Sequence, residues 1–189
     1  SGVTIGSTGV IGMQLPIEKV KAGIQVLAGE KNGSLENGTA AAKAIMTTDT
    51  CEKELAVELE IGGKTVTLGG IAKGSGMIHP NMCTMLAFLT TDAVISKETL
   101  QKALSEDIQD TYNMISVDGD TSTNDTLIIM ASGLAGNPEI CEENADYEAF
   151  VAALTAIAEH MCAEHAGDGE GATHLITCEV THAPDLKTA

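Results

Sequence analysis

Hydrophobic positions change period several times along the chain, and each change predicts an element. From Glu54 to Gly74 (ELAVELEIGGKTVTLGGIAKG) apolar and polar residues largely alternate around Gly62–Gly63. Period two marks half-buried strands, and two glycines suit a tight turn, so a β-hairpin is predicted. Elsewhere the period lengthens to that of a helix. Ile17, Val20, Ile24 and Leu27 repeat at helical spacing behind Pro16, whose missing N–H costs nothing in a first turn. They predict a helix to about Ala28 with those four residues on its inner face. Ser96 is a good N-cap for a helix over 97–110, and Phe150, Leu154, Ile157 and Met161 share one face of a longer helix over 146–165.

The remaining runs are shorter. Residues 3–5 (VTI), MISV, TLIIMA and HLITCEV read as strands, and TAAAKAIM as a helix after the turn-rich EKNGSLENG. MLAFLTTDAVI favours a strand, although so apolar a run separates strand from helix poorly. The whole predicts a single mixed α/β domain over residues 1–189, with no internal repeat or linker.

Composition narrows the picture. With two Tyr, two Phe and no Trp, aliphatic residues and methionine must build the core. The formal charge of −17 repels phosphate, which argues against nucleic acid and anionic membranes as partners. No stretch of about 20 apolar residues suggests a transmembrane helix, and no signal peptide is evident. The five cysteines, Cys51, Cys83, Cys141, Cys162 and Cys178, include no CxxC pair and read as thiols of a reducing cytoplasm.

Several stretches carry candidate chemistry. In VTIGSTGVIG, Gly6, Gly9 and Gly12 have a GxxGxxG spacing that can cradle a dinucleotide phosphate or aim N–H groups at an oxyanion. The dinucleotide reading wants a helix opening inside the loop and an acidic residue closing a second strand; Pro16 and the helix before Glu30 argue against it. In GSGMIHPNMCTMLAF, Thr84 heads an apolar run. Such a threonine is commonly β-branched packing, but it can also be a nucleophile that first cuts its own peptide bond and then uses its freed amine as base. Cys83 is a rival nucleophile beside His79, or an inert buried thiol.

Other polar stretches have blander readings. DGDTSTND resembles a calcium loop only superficially, because Thr123 and Ile129 stand where glycine and glutamate belong; an Asx- and Ser/Thr-rich turn is expected, and no metal site. His160, Cys162 and His165 have no metal-ligand spacing and read as a helix surface. Glu170, in the DGEG that closes the long helix, is either solvated or meets a cationic substrate.

Taken in order, STGVIG, AIMTTDT, AKGSGMIHPNMCTMLAFLTTDA, DGDTSTNDT and DGEGAT resemble one family, the ornithine acetyltransferases, also called bifunctional glutamate N-acetyltransferases of arginine biosynthesis. The resemblance runs over essentially the whole chain. It implies a self-processing Thr-nucleophile enzyme with the layered α/β sandwich of the DmpA group, similar in chemistry to Ntn hydrolases. Cleavage would fall between Cys83 and Thr84, giving chains 1–83 and 84–189 that associate and oligomerise further. Thr84 would then carry acetyl from N-acetylornithine to glutamate in a ping-pong cycle, without a cofactor, some members also accepting acetyl-CoA as donor.

By position, Thr8 and Gly9 match the oxyanion hole, Thr47 and Lys73 match substrate-binding residues, and Glu170 matches the carboxylate that meets the amino-acid substrate. Many members have Ala where this chain has Cys83, and the family continues beyond both ends of this chain. A central part that keeps the fold and only binds ligand is therefore a competing expectation. An amidohydrolase or peptidase using the same threonine is another.

Overall fold

A computed structural model describes residues 3–79, 85–185 and 188–189. Its centre is a four-stranded sheet of β1 (Lys53–Ile61), β2 (Lys64–Lys73), β3 (Leu86–Thr91) and β4 (Thr126–Ala131), in that order across the sheet. β1, β2 and β3 are antiparallel neighbours and β4 runs parallel to β3. The predicted hairpin closes at Gly62 and Gly63, whose φ values of 56° and 73° suit glycine and match the twist of the strands it joins.

Strand alternation sorts residues onto two faces. Val57, Leu68 and Leu89 share the inner one, where β1 and β2 pack against α4 (Ala145–Gly167). Phe150, Leu154, Ile157 and Met161 are fully buried there, as their spacing predicted. α3 (Lys97–Asp110) starts at Ser96, whose hydroxyl accepts from Thr99 N–H at 3.2 Å, and lies beside α4.

The opposite face carries Lys73, Leu86, Phe88 and Thr126. α2 (Leu35–Ile45) joins that side, its Thr39 hydroxyl donating to Glu54 at 2.5 Å. The N-terminal segment crosses the sheet here: a Cβ on Gly6 would stand 2.9 Å from Phe88 Cζ, so a larger residue would have to displace the Phe88 ring. Mixed α/β architecture thus stands as predicted.

Several local expectations do not hold. Residues 3–5 form no strand, because the segment lies across the sheet without joining its ladder, and Val3 and Ile5 are exposed. MISV is also not a strand: Tyr112–Met114 make a 3₁₀ turn and the chain then continues irregularly. HLITCEV is irregular and largely exposed, with no ladder partner among the described residues. α2 begins earlier than expected, inside the supposed loop, because Ser34 caps it by accepting from Asn37 N–H at 3.2 Å.

α1 (Ile17–Glu30) forms as predicted, but its apolar stripe is not an inner face, since no residue of the helix is buried. Nor are Cys162 and His165 surface residues: α4 is long enough to turn both towards the core, leaving only His160 outside, near Glu164. Among the described residues no helix is long and apolar enough to cross a membrane.

Candidate active site

Five segments far apart in sequence meet at the Lys73 end of β2. The N-terminal segment brings Thr8 and Gly9, and the turn after α2 brings Thr47 and Thr48. β2 ends on Lys73 and runs into Ser75, Gly76 and Met77; the DGD turn brings Asp118 and Asp120, and the end of α4 brings Glu170. Together with Val10 they line a cavity of about 430 Å³. Thr8, Gly9, Thr47, Lys73 and Glu170, the described residues expected at the site, all lie on its wall. Cys83 and Thr84 fall outside the described residues. β3 starts at Leu86, in register with Lys73, so the chain after Thr84 enters the sheet beside that lysine.

Lys73 is a buried cation, 2% exposed. Burial pushes its ammonium below the usual lysine value; Asp49 and Asp125 oppose that drop and Lys53 adds to it. Its Nζ donates to the Thr47 hydroxyl at a long 3.5 Å. A lysine so placed has donor capacity left for an anionic or carbonyl oxygen in the cavity.

The opposite wall is held by turns. Gly74 has φ 152° and Met77 φ 58°, so the chain reverses sharply after β2. Asp118 stabilises that reversal by accepting from Met77 N–H at 2.6 Å and Ile78 N–H at 3.1 Å. Burial alone would raise its carboxyl; the N–H groups of Met77, Asp120 and Ile78 outweigh burial and hold it low. Glu170 is fixed through its backbone, whose N–H donates to the Ser75 carbonyl. A Cβ on Gly76 would come within 2.8 Å of Glu170 Oε2, so this glycine makes room for the carboxylate. Ser75 and Thr48 join hydroxyls at 2.6 Å across the cavity wall.

Beneath the cavity lies a buried ionic cluster. Lys53, fully buried, donates to Asp49 at 2.9 Å and to Asp168 at 2.6 Å. Asp168 also accepts from Thr50 N–H, at 3.0 Å to its nearer oxygen, and from the Thr50 hydroxyl. Burial opposes ionisation of Asp168, yet Lys53 and Thr50 outweigh it and bring its pKa to about 2.

The ArgJ family model matches residues 1–189. The chain belongs to the ArgJ family. Two relatives named arginine biosynthesis bifunctional protein ArgJ support it. That of Symbiobacterium thermophilum is 55% identical over 185 residues, covering 98% of this chain and 46% of the relative. That of Lactococcus lactis subsp. lactis is 54% identical over 189 residues, covering 99% and 46%. A crystal structure of the Bacillus halodurans protein of that name is 50% identical, with a TM-score of 0.44, over 46% of this chain and 40% of that one. The chain therefore spans about half the length of the curated ArgJ relatives it matches.

Sequence reasoning missed part of this ArgJ-family pocket. Thr48, Ser75, Gly76, Asp118 and Asp120 lie inside the quoted motifs, but motif identity gives them no role, and DGDTSTND by itself reads as a polar turn. Their signal was position beside a predicted site residue, but which neighbour faces the cavity depends on turn geometry that motif spacing does not reveal.

Proposed function

We propose that this chain forms the acetyl-binding and nucleophile-bearing core of an enzyme that moves acetyl from N-acetylornithine to glutamate. The observation that carries the reading is the convergence of Thr8, Gly9, Thr47, Lys73 and Glu170 on one cavity from separate segments. Membership of the ArgJ family supports it.

The chemistry runs in two stages. In the first, the Thr84 hydroxyl attacks the Cys83 carbonyl, the peptide becomes an ester, and water hydrolyses that ester to free Thr84 as a new N-terminus. Cys is small enough for the same cleavage where, by the resemblance, many family members carry Ala. In the second stage the freed amine takes the proton of the Thr84 hydroxyl as that oxygen attacks the acetyl carbonyl. N–H and hydroxyl donors of Thr8 and Gly9 would meet the developing oxyanion; losing one such donor typically costs roughly 10²–10³ in rate. The α-amine of ornithine takes a proton and leaves, and acetyl remains as an ester on Thr84. The glutamate amine then attacks that ester, forming N-acetylglutamate and restoring the hydroxyl. Lys73 supplies a cation for a substrate carboxylate, and Glu170 a carboxylate for an ammonium.

In this reading the 1–83 and 84–189 chains stay associated and assemble further, work in the cytoplasm on small molecules, and need no bound cofactor; acetyl-CoA is a second donor to test. Intact-mass spectrometry should find two chains divided at Cys83–Thr84, and Thr84→Ala should prevent both cutting and transfer. Full transfer by Thr84→Ala would exclude that threonine as the nucleophile. Because the chain spans 46% of its relatives' length, ligand binding without transfer is the second reading. Calorimetry with N-acetylornithine beside an assay with and without glutamate separates transfer, binding alone and hydrolysis.

A further inference from the structure

Asp49 does not line the cavity, yet it bonds to the two segments that carry the cavity's Thr47 and Lys73. One carboxylate oxygen accepts from Thr47 N–H at 3.1 Å; the other accepts from Gly74 N–H at 2.6 Å and from Lys53 Nζ at 2.9 Å. It therefore ties the turn after α2 to the end of β2, immediately behind both side chains. We propose that Asp49 is a positioning residue of this pocket, orienting Thr47 and Lys73 together and setting a carboxylate beside the end of β2 that carries the lysine. The choice of ligand rests on the acetyl-transfer reading above; the arrangement itself does not.

Geometry and charge point the same way. Lys73 is nearly fully buried, and a buried ammonium without an opposing charge gives up its proton more readily. The groups that act on it are Asp49 from the turn after α2, Lys53 from β1, and Asp125 just before β4. Behind them, from α4, stands His165, which burial holds towards its neutral form. Lys53 is already shared between Asp49 and Asp168, and of these two carboxylates only Asp49 also acts electrostatically on Lys73. Burial would raise the Asp49 carboxyl, but Lys53 and the N–H groups of Gly74 and Thr47 outweigh it and keep Asp49 ionised. A neutral amide of the same shape offers one oxygen in place of two and no charge.

The test uses Asp49→Asn, Asp49→Glu and Lys73→Gln, following Lys73 by carbon-13 titration of its side chain and N-acetylornithine binding by calorimetry. Asp49→Asn should lower the Lys73 titration midpoint by about one pH unit or more. It should also weaken N-acetylornithine about 10- to 100-fold, as expected for losing charge-assisted bonds. In the Lys73→Gln background the same change should cost much less, because its effect runs through Lys73. Asp49→Glu keeps the charge but moves the carboxylate, so binding should weaken while the midpoint stays near that of the unaltered chain. An unmoved midpoint in folded Asp49→Asn, or an equal loss of binding in both backgrounds, overturns the inference. Should Asp49→Asn not fold, Asp49→Glu decides: unchanged affinity overturns it, and weakened binding with a retained midpoint supports it. If the unaltered chain binds no N-acetylornithine, the acetyl-transfer reading fails while the Lys73 titration still decides the role of Asp49.

Discussion

α1 and α4 are both helices with apolar residues at helical spacing, and the fold treats them in opposite ways. In α4, Phe150, Leu154, Ile157 and Met161 are each 0% exposed; in α1, Ile17, Val20, Ile24 and Leu27 are 55%, 40%, 60% and 66% exposed. α4 lies on the inner face of β1 and β2, whereas α1 buries none of its residues. The difference teaches that periodicity specifies an element and the side it can bury, while burial itself needs a complementary surface. The sheet offers α4 a row of Val57, Leu59, Val66 and Leu68 at matching spacing. Among the described residues nothing equivalent covers α1.

The largest test of that contrast is a pair of truncations. Leu154→Ala should lower unfolding stability by about 2–5 kcal/mol in a urea titration, the usual range for emptying a buried leucine site. Leu27→Ala should change it by no more than about 0.5 kcal/mol, as for an exposed position. Equal losses would break the comparison, because they would mean that α1 is as well packed as α4.

Acid sharpens the same distinction, since the buried ionic cluster lies under the sheet–α4 unit and not near α1. Asp168 has its pKa lowered from 3.8 to about 2, and Asp49 is lowered too. A depressed carboxyl contributes stability that is complete above its ordinary pKa and is lost as pH falls through the folded one. For Asp168 the stability at stake is on the order of 2 kcal/mol, lost as pH falls from about 4 to about 2. Asp168→Asn should flatten that part of the stability–pH curve while lowering stability at neutral pH. A curve with an unchanged acid limb would show that Asp168 is not the group responsible.

Helix caps give the smallest effect. Ser96→Ala should cost about 1 kcal/mol of global stability, because α3 is docked against α4. Ser34→Ala removes the corresponding cap of α2, a helix in which only Ala42 is buried. Its loss should appear first as faster amide exchange in the first turn of α2, with a smaller change in global unfolding. A larger global loss from Ser34 than from Ser96 would reverse the ranking of the two helices.

How much was legible before the structure follows from these cases. The hairpin, TLIIMA, α1, α3 and α4 could be read because their local signals agree: alternation, a Gly-Gly turn, helical spacing, serine or proline at a helix start; the strand at Leu86–Thr91 is only favoured, because so apolar a run separates strand from helix poorly. VTI, MISV and HLITCEV have strand-like composition as well, but a strand requires a neighbour for its N–H and C=O groups, and composition does not supply one. His165 shows the same limit in a helix. Its residue type suggests a surface, yet its place one turn after Met161 carries it into the core.

The candidate site divides similarly. Thr8, Gly9, Thr47, Lys73 and Glu170 could be nominated from motif identity, through the family resemblance. Asp49 could not, because an aspartate after two threonines reads as a turn residue until Gly74 and Lys53 are seen to approach it from elsewhere in the chain. By itself the sequence determined the periods, the turns and the stock of chemically able side chains, since those depend on residues close together along the backbone. Only the tertiary structure decided which apolar face is covered, which of the polar motifs form one wall, and which buried carboxylate ties the turn after α2 to the end of β2. Those outcomes depend on surfaces and charges brought together from distant segments, where burial and the cost of leaving a charge unpaired select among arrangements that local sequence permits equally.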